Sequence, residues 1–310
     1  MALLEIDDVT VRFGGLVALR DVAFEVDEGQ FISIIGPNGA GKTTLFNAIA
    51  GTVRPTSGRI RFRDREVQGS RAAHMSHVGV RRTFQVARPF PSMTVRENVY
   101  IAAAGRSVLH SARSLGLRGR VRALGARVDG LLQTTGLTSE SGRRASELNI
   151  GGLRRLELAR ALASEPTLLL LDEPAAGIGV DGLRPLADLI RGVHQRGLTV
   201  LLVEHYVGFA LSLSDRVIVL DEGVVIAEGT PEQVRNDERV ITAYLGRAGR
   251  AAKGEQAGLA AQVPAQPNKP NETNRPAEPD EPRQPDEPDR PRAPHKPDRP
   301  REPEESDRQR

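Results

Sequence analysis

The residues of this sequence that are best suited to chemistry form a glycine-rich stretch, GPNGAGKTT, at positions 36–44. It follows the apolar, β-branched run FISII, which predicts a buried strand, and it precedes a run that favours a helix. In that setting the pattern G-x-x-x-x-G-K-[ST] predicts a P-loop, whose backbone N–H groups surround phosphate oxygens at the positive end of the helix. A glycine-rich turn with an accidental lysine is the alternative, and the flanking strand and helix disfavour it.

The positions of this loop have predicted roles in holding a nucleoside triphosphate. Lys42 supplies a point charge for the β- and γ-phosphates, and Thr43 offers a hydroxyl to Mg²⁺. The glycines permit backbone dihedral angles and a close approach that a Cβ would block. The candidate nucleotide-binding residues of the loop are Gly36, Pro37, Asn38, Gly39, Ala40, Gly41, Lys42, Thr43 and Thr44.

Two adjacent carboxylates, Asp172 and Glu173, follow a run of four leucines far from the P-loop in the sequence. A buried strand that ends in Asp172 would point this carboxylate toward the P-loop, where it can hold Mg²⁺ or the water around it. Glu173 is placed to orient or deprotonate an attacking water. Two acids at a strand end can also be an ordinary loop start, but the upstream P-loop favours the catalytic interpretation.

The elements that must position these residues can be predicted from hydrophobic patterning. Residues 3–13 alternate between apolar and polar side chains and predict a strand, and residues 23–26 predict another. Continuous apolar runs at 167–171, 198–203 and 216–220 are typical of strands buried on both faces. Helix-like stretches separate these runs, so the sequence predicts a doubly wound α/β sheet, antiparallel at one side and parallel near the P-loop.

A region with a helical pattern separates the two halves of this predicted α/β core. From Thr94 to about Pro166 apolar residues recur at helical spacing, and several glycines punctuate the region. We therefore expect several short helices there, which form a helical subdomain at about 88–165.

Composition narrows the class of protein. Cysteine is absent, which excludes a disulfide framework and a thiolate metal site. The first residues lack the pattern of a signal peptide, and no apolar run approaches the eighteen or so residues that span a bilayer, so a membrane role would require a partner. The net charge is only +3 and the basic residues are scattered, so no nucleic-acid partner is expected.

The last part of the sequence has a different composition. From Pro264 to Pro303 a proline occurs at every third position except at Thr273, with mostly charged residues between. This composition cannot bury a core, so residues 248–310 are predicted to be a disordered tail. The tail could be a stiff arm that presents P-x-x-P ligands, or a solvated spacer of mixed charge.

In order along residues 1 to about 247, these motifs resemble those of the ATPase subunit of an ABC transporter. Within that family the sequence is most similar to the ATPases of branched-chain amino-acid importers. The stretches that carry this likeness are RFGGLVAL at 12–19, RTFQ at 82–85, DEPAAG at 172–177 and ITAYLG at 241–246.

The resemblance implies a fold, cofactors and further site residues. The fold would be an α/β P-loop ABC ATPase core, a mixed sheet with helices, plus the inserted helical subdomain and the tail. The cofactors would be ATP and Mg²⁺, with Phe13 stacked on the adenine and His205 in contact with the γ-phosphate. Gln85 would touch Mg²⁺ and water and link to the membrane subunit. The implied catalytic residues are Glu173, His205, Gln85 and Lys42, and the implied metal ligands are Thr43, Gln85 and Asp172.

One segment departs from the family pattern. The signature LSGGQ, or LSYGQQ in this subgroup, is here LNIGGL at 148–153. Asn149, which is suited to cap the following helix, replaces the serine that would meet the γ-phosphate bound to a second ATPase subunit. Asn149, Gly151 and Gly152 are still expected to contact nucleotide, more weakly than the family's residues. Because Gly179 also replaces the family's acidic residue or Asn, we hypothesise a heterodimer with one competent and one impaired half-site.

The expected function is ATP hydrolysis coupled to solute import at the cytoplasmic face of a membrane. The partners would be permease subunits, a second ATPase subunit and, indirectly, a solute-binding protein. One alternative is a soluble ABC ATPase that acts on ribosomes or DNA, which the single P-loop and the lack of sustained heptads disfavour. Another is a non-hydrolysing regulatory module, which Lys42, Asp172, Glu173 and His205 argue against.

Overall fold

A computed structural model describes residues 2–83, 89–104 and 117–248 of the chain. All described residues belong to one compact unit of the chain, Met1–Val263. Gln85 and residues 249–310 of the predicted tail lie outside the described residues, while Ala248, the first residue of that tail, ends the last described helix.

The strands of the described chain form two sheets. They are β1 (Ala2–Phe13), β2 (Leu16–Asp27), β3 (Phe31–Ile35), β4 (Ser57–Phe62), β5 (Arg65–Glu66), β6 (Val80–Arg82), β7 (Leu168–Asp172), β8 (Thr199–Val203), β9 (Arg216–Asp221) and β10 (Val224–Gly229). A four-stranded antiparallel sheet has the order β2-β1-β4-β5. A six-stranded sheet has the order β10-β9-β3-β8-β7-β6, and its strands are parallel except for β10.

Helices connect and cover these sheets. They are α1 (Lys42–Ile49), α2 (Ala72–Val78), α3 (Val95–Ala104), α4 (Leu117–Thr134), α5 (Ile150–Leu162), α6 (Val180–His194), α7 (Val207–Leu213), α8 (Pro231–Arg235) and α9 (Glu238–Ala248). Short 3₁₀ turns lie at Thr138–Glu140 and Ala145–Glu147. Among the described residues, no helix combines the length and the apolar composition that crossing a bilayer requires.

The central strands are buried on both faces, as the continuous apolar runs predict. Alternate residues of β3, such as Ile32 and Ile34, join the core that the antiparallel sheet and α1 cover. Phe31 and Ile35 point to the opposite face, where they pack with residues of α6 and α7. The two hydrophobic cores hold the carboxyl ends of β3, β7 and β8 along one edge, because these strands are parallel neighbours.

The helical region has a hydrophobic core of its own, formed by α3, α4, α5 and the 3₁₀ turns between them. The expectation that glycines divide this region into short helices is wrong for α4, an 18-residue helix that contains Gly119, Gly125 and Gly130. Leu124, Val128 and Leu132 are buried along one stripe of α4, so tertiary packing overrides the low helix propensity of glycine. The limits of this subdomain, at about 88–165, remain a prediction.

Candidate functional site

The P-loop connects β3 to α1, and its backbone conformation depends on two glycines. Gly36 has a φ of 152°, and a Cβ there would lie 2.0 Å from the carbonyl oxygen of Leu220. Gly41 has a φ of 100°, and a Cβ there would lie 2.7 Å from the carbonyl oxygen of Ala18. Because neither site can accept a side chain without moving backbone, the sequence needs glycine to bring the loop to the start of α1.

The ammonium group of Lys42 is held on the inside of this loop. Its Nζ donates hydrogen bonds to the carbonyl oxygens of Gly36, at 2.6 Å, and of Pro37, at 3.0 Å. The side chain is buried. These contacts place a positive charge among the backbone groups that are predicted to bind phosphate.

A cleft of about 680 Å³ joins the P-loop to residues from distant parts of the chain. Its lining residues are Phe13, Leu16, Val17, Ala18, Asn38, Gly39, Ala40, Gly41, Lys42, Thr43, Thr44, His205 and Glu222. Phe13 ends β1 with 51% of its surface exposed, so it is not a core residue, and it supplies an aromatic face on which a base can stack. The cleft therefore combines an apolar surface suited to a base with a loop suited to phosphates.

The predicted water-activating carboxylate contacts the predicted switch histidine. His205 Nε2 lies 2.6 Å from Glu173 Oε1, and Glu173 is buried while His205 is exposed toward the cleft. Glu173 has a φ of 47°, a left-handed conformation that is uncommon for a residue with a side chain. Backbone strain of this kind clusters at functional sites, and here it accompanies the contact between two predicted catalytic side chains.

Glu204 is a site residue that sequence reasoning missed. It is only 2% exposed, and its Oε1 accepts a hydrogen bond of 2.8 Å from the Ala175 N–H. Its Oε2 accepts hydrogen bonds from the backbone N–H groups of His205, at 3.1 Å, and Tyr206, at 3.3 Å. Glu204 thus fastens the loop after Glu173 to the loop that carries His205. The only sequence signal was an acidic residue at the end of a buried strand.

The environment of Glu204 changes the pKa of its carboxyl group. Burial raises the pKa of Glu204 above its ordinary value of 4.5, and the nearby charge of Glu173 acts in the same direction. The three backbone N–H donors oppose this rise, because they stabilise the carboxylate form.

Asp172, the predicted metal ligand, lies at the end of β7 and forms a shielded ion pair. Arg82 Nη2 donates to Asp172 Oδ2 at 2.6 Å, and the backbone N–H of Asp172 donates to Thr83 Oγ1 at 3.3 Å. Asp172 is not among the residues that line the cleft. The structure therefore joins Phe13, the P-loop and His205 in one cleft, whereas Asp172 contacts Arg82 and Thr83 outside the lining of that cleft.

The available donor atoms fit Mg²⁺. The carboxylate of Asp172 and the hydroxyl of Thr43 are hard oxygen ligands. In the described ranges no group of three or more His, Cys, Asp or Glu residues could hold a metal by itself. In nucleotide sites Mg²⁺ is usually bound through one or two protein oxygens together with phosphates and water.

The signature segment lies outside the cleft. Asn149 is the N-cap of α5, and its Oδ1 accepts a hydrogen bond of 2.8 Å from the Gly152 N–H, as its residue type predicted. Ile150 between them is 53% exposed. Asn149, Gly151 and Gly152 are not among the residues that line the cleft, so the structure does not bring them together with the P-loop.

The chain was also compared with known families. A model described as "ABC transporter" matches residues 19–176, and one described as "Branched-chain amino acid ATP-binding cassette transporter" matches residues 224–250. The first match covers half of the chain, and the P-loop, the carboxylate pair and their strands lie inside it. The chain belongs to the ABC transporter family of ATP-binding proteins.

Individual relatives resemble nearly the whole described region. The chain is 41% identical to the high-affinity branched-chain amino acid transport ATP-binding protein LivG of Salmonella typhimurium, over 79% of this chain and 98% of that protein. It is equally similar, over the same share of both chains, to BraF of Pseudomonas aeruginosa, which carries the same description. A crystal structure of the ADP conformation of an ATP-binding cassette of an ABC transporter superposes with a TM-score of 0.70 and 28% identity, over 79% of this chain and 99% of that one.

These findings define the protein's class and confirm several predictions. The α/β ABC ATPase fold class is confirmed, and the chain is the ATP-binding, ATP-hydrolysing subunit of an ABC transporter. Its partners are therefore membrane permease subunits, and the alternative of an ATPase without a transport role is not supported.

Proposed function

We propose that this chain energises the uptake of branched-chain amino acids, as a peripheral ATPase at the cytoplasmic face of the membrane. The observation that carries the proposal is the cleft in which Phe13, the P-loop and His205 meet, with Glu173 2.6 Å from His205. The described function of LivG and BraF supports the choice of solute.

In this proposal the chain's own residues bind ATP and neutralise the charge that develops during phosphoryl transfer. The ring of Phe13 stacks on the base, and the backbone N–H groups of 38–43 surround the phosphates. Lys42 exchanges its carbonyl partners for the β- and γ-phosphates. Mg²⁺, when bound, neutralises phosphate charge, and Thr43, Gln85 and Asp172 are the residues proposed to hold it, in part through water.

Glu173 orients the attacking water and accepts its proton. When His205 carries a proton on Nε2, the imidazole donates to Glu173 Oε1 and fixes the direction of the carboxylate. Glu204 keeps the two loops at this distance through its three backbone hydrogen bonds. As the γ-phosphate leaves, His205 is placed in the cleft to contact it.

We further propose that the working ATPase is a heterodimer. Nucleotide bound to this chain's P-loop would be completed by the signature segment of a partner ATPase. The half-site to which this chain contributes Asn149 would be weaker, because the Gly152 N–H already donates to Asn149 Oδ1 and so is not offered to a phosphate oxygen. Gly179 likewise precedes α6 without a side-chain cap or a polar side chain to reach across a dimer.

ATP hydrolysis by the purified full chain tests this arrangement. The rate is measured alone at rising concentration and then with candidate partner ATPase subunits. We expect a rate near background alone, a large increase with the partner, and a loss of about 10²–10⁴-fold in Glu173→Gln. Glu28→Gln, which changes an exposed carboxylate near Arg63, serves as the matched control. Full turnover by the chain alone, rising with concentration as a dimer forms, would contradict the heterodimer.

The solute is tested in proteoliposomes that contain the permease, both ATPases and external solute-binding protein. We expect leucine, isoleucine or valine to accelerate ATP hydrolysis and to accumulate inside the vesicles, and Glu173→Gln to stop both. Acceleration by urea or another amide, and not by these amino acids, would overturn the choice of solute while leaving the ATPase assignment intact.

A further inference from the structure

Arg82 lies at the end of β6, on the face of the sheet that α1 covers, and it contacts three parts of the site. Nη2 donates to Asp172 Oδ2 at 2.6 Å, and Nη1 donates to Asn47 Oδ1, also at 2.6 Å. The guanidinium lies 5.9 Å from the centroid of the Phe46 ring. The planar guanidinium group of Arg82 therefore connects α1 with the end of β7.

The ion pair between Arg82 and Asp172 is shielded from solvent. The two side chains are 14% and 7% exposed. Arg82 Nε is buried and has no hydrogen-bond partner within the described part of the chain. An orphaned buried donor costs free energy, which the hydrogen bonds of Nη1 and Nη2 must offset.

The contact with Arg82 uses one oxygen of Asp172. Among the contacts of the described residues, Oδ1 is left as the oxygen that can face a metal or a metal-bound water. The neighbouring Thr83 fixes the backbone of the same residue, since its Oγ1 accepts from the Asp172 N–H and its own N–H donates to the Leu170 oxygen at 2.9 Å. Arg82, the last residue of β6, thus fixes the side-chain direction of Asp172, and Thr83, which follows it, fixes the backbone of Asp172.

We propose that Arg82 is a positioning residue for Asp172 and thereby sets the affinity of the ATP-loaded site for Mg²⁺. The proposal rests on the nucleotide site described above, and it assigns to Arg82 a role that acts through Asp172 and not by contact with ATP. Hydrogen-bonded partners of metal-ligating carboxylates typically contribute about 10- to 100-fold to metal affinity.

Arginine is suited to this role in a way that lysine is not. A planar guanidinium donates to Asp172 and Asn47 at once in fixed directions, whereas an ammonium on a flexible stem cannot hold both. Asn47 accepts a hydrogen bond from the Arg82 guanidinium and so fixes that group against α1, the helix that begins with Lys42 and Thr43. Arg82 therefore connects α1, which carries Thr43, with Asp172, and these are two of the residues proposed to hold Mg²⁺.

The test measures binding of a fluorescent, non-hydrolysable ATP analogue to the full chain while Mg²⁺ is varied. In Arg82→Gln and Arg82→Lys we expect the Mg²⁺ concentration for half-maximal enhancement of binding to rise by about 10- to 100-fold. Binding of the analogue in EDTA should change by less than about twofold, because Arg82 does not line the cleft. A loss of fold alone would lower binding equally with and without Mg²⁺.

The neighbouring Arg81 provides the matched control. It lies on the same strand, but its Nε donates to Ser164 Oγ at 2.6 Å. Arg81→Gln should leave the Mg²⁺ dependence unchanged. Asn47→Ala, which keeps the ion pair, should shift the Mg²⁺ midpoint by less than Arg82→Gln, and the double variant should match Arg82→Gln.

Two results would overturn the proposal. An unchanged Mg²⁺ midpoint in folded Arg82→Gln would show that Asp172 needs no positioning, and a lowered midpoint would show that Arg82 competes with the metal. Either result leaves the proposed function intact as long as the analogue binds to the unmodified chain. If the analogue does not bind to that chain at all, both the nucleotide site and the role of Arg82 fail.

Discussion

The P-loop and the signature segment are both glycine-containing turns that lead into a helix, yet they leave the helix start in different states. At α1 the N-cap is Gly41, which has no side chain, so no cap side chain competes with an anion for the first backbone N–H groups. At α5 the N-cap is Asn149, whose side chain already accepts the Gly152 N–H. The comparison teaches that two glycine-containing helix starts can differ in how many backbone N–H donors they leave for a phosphate.

The same contrast holds for the surroundings of the two segments. Lys42 and His205 converge on the cleft beside the P-loop. At the signature, Ile150 presents a half-exposed apolar side chain where a phosphate-binding segment needs donors. We therefore expect substitutions in the P-loop to cause large losses of ATP hydrolysis, and substitutions in the signature segment to cause small losses of stability.

The largest expected effect is at the P-loop. Lys42→Ala removes the buried ammonium that the cleft depends on for phosphate charge, so ATP hydrolysis by the assembled complex should fall by about 10²-fold or more. Asn149→Ala in the same complex should change the rate by less than about threefold, in keeping with its use as a cap. Steady-state rates of the two variants measure the contrast directly. Equal losses would show that the signature of this chain is as competent as its P-loop.

A smaller effect is expected at the base-binding end of the cleft. Phe13→Ala removes an exposed ring, so the affinity for ATP should weaken by about 1–3 kcal/mol, or about five- to 150-fold. Phe13→Tyr keeps the ring and should bind as the unmodified chain does. Titration with a fluorescent ATP analogue measures both, and Phe90→Ala, which removes an exposed ring outside the cleft, is the control. Unchanged binding in Phe13→Ala would remove Phe13 from the site.

The cap at the signature should appear in stability. Asn149→Ala leaves the Gly152 N–H without its acceptor, so the free energy of unfolding should fall by about 1 kcal/mol. Asn149→Ser retains an acceptor at the N-cap and should recover most of this loss. Urea unfolding followed by circular dichroism gives the difference. If Asn149→Ala is as stable as the unmodified chain, the hydrogen bond from the Gly152 N–H to Asn149 does not stabilise the start of α5.

The smallest expected effect is a pH dependence that originates at Glu204. Burial raises the pKa of Glu204 in the folded state. Between the ordinary value of 4.5 and this raised pKa, Glu204 is protonated in the folded chain and ionised in the unfolded chain, so folding takes up a proton there. The contribution of Glu204 to the free energy of unfolding is thus full at low pH and is lost as pH rises through the raised pKa. Urea unfolding at a series of pH values should show a shallower decline in Glu204→Gln. An equal slope in both proteins would contradict the raised pKa.

Local patterns were enough to predict the P-loop, the carboxylate pair and the buried central strands. Each depends on neighbours in the sequence: the spacing of glycines, a strand that ends in acids, or a run of apolar residues. The Asn149 cap was predictable for the same reason, because its hydrogen bond spans three residues.

The remaining features depend on partners far away in the chain. Arg82 meets Asp172 across 90 positions, and Glu204 meets the Ala175 N–H across 29. No periodicity reports such pairs, so sequence reasoning named Asp172 without its arginine and passed over Glu204. The length of α4 was misjudged for a related reason, since its glycines are tolerated only because the helical core holds one face of the helix.

That helix has uneven protection against local opening. Leu124, Val128 and Leu132 anchor its second half, whereas Arg118, Val121 and the rest of 118–123 are exposed or half-buried. Each internal glycine costs about 1 kcal/mol of helix propensity relative to alanine. We therefore expect the first turns of α4 to exchange their amide protons with solvent faster than the later turns, because they bury fewer apolar side chains.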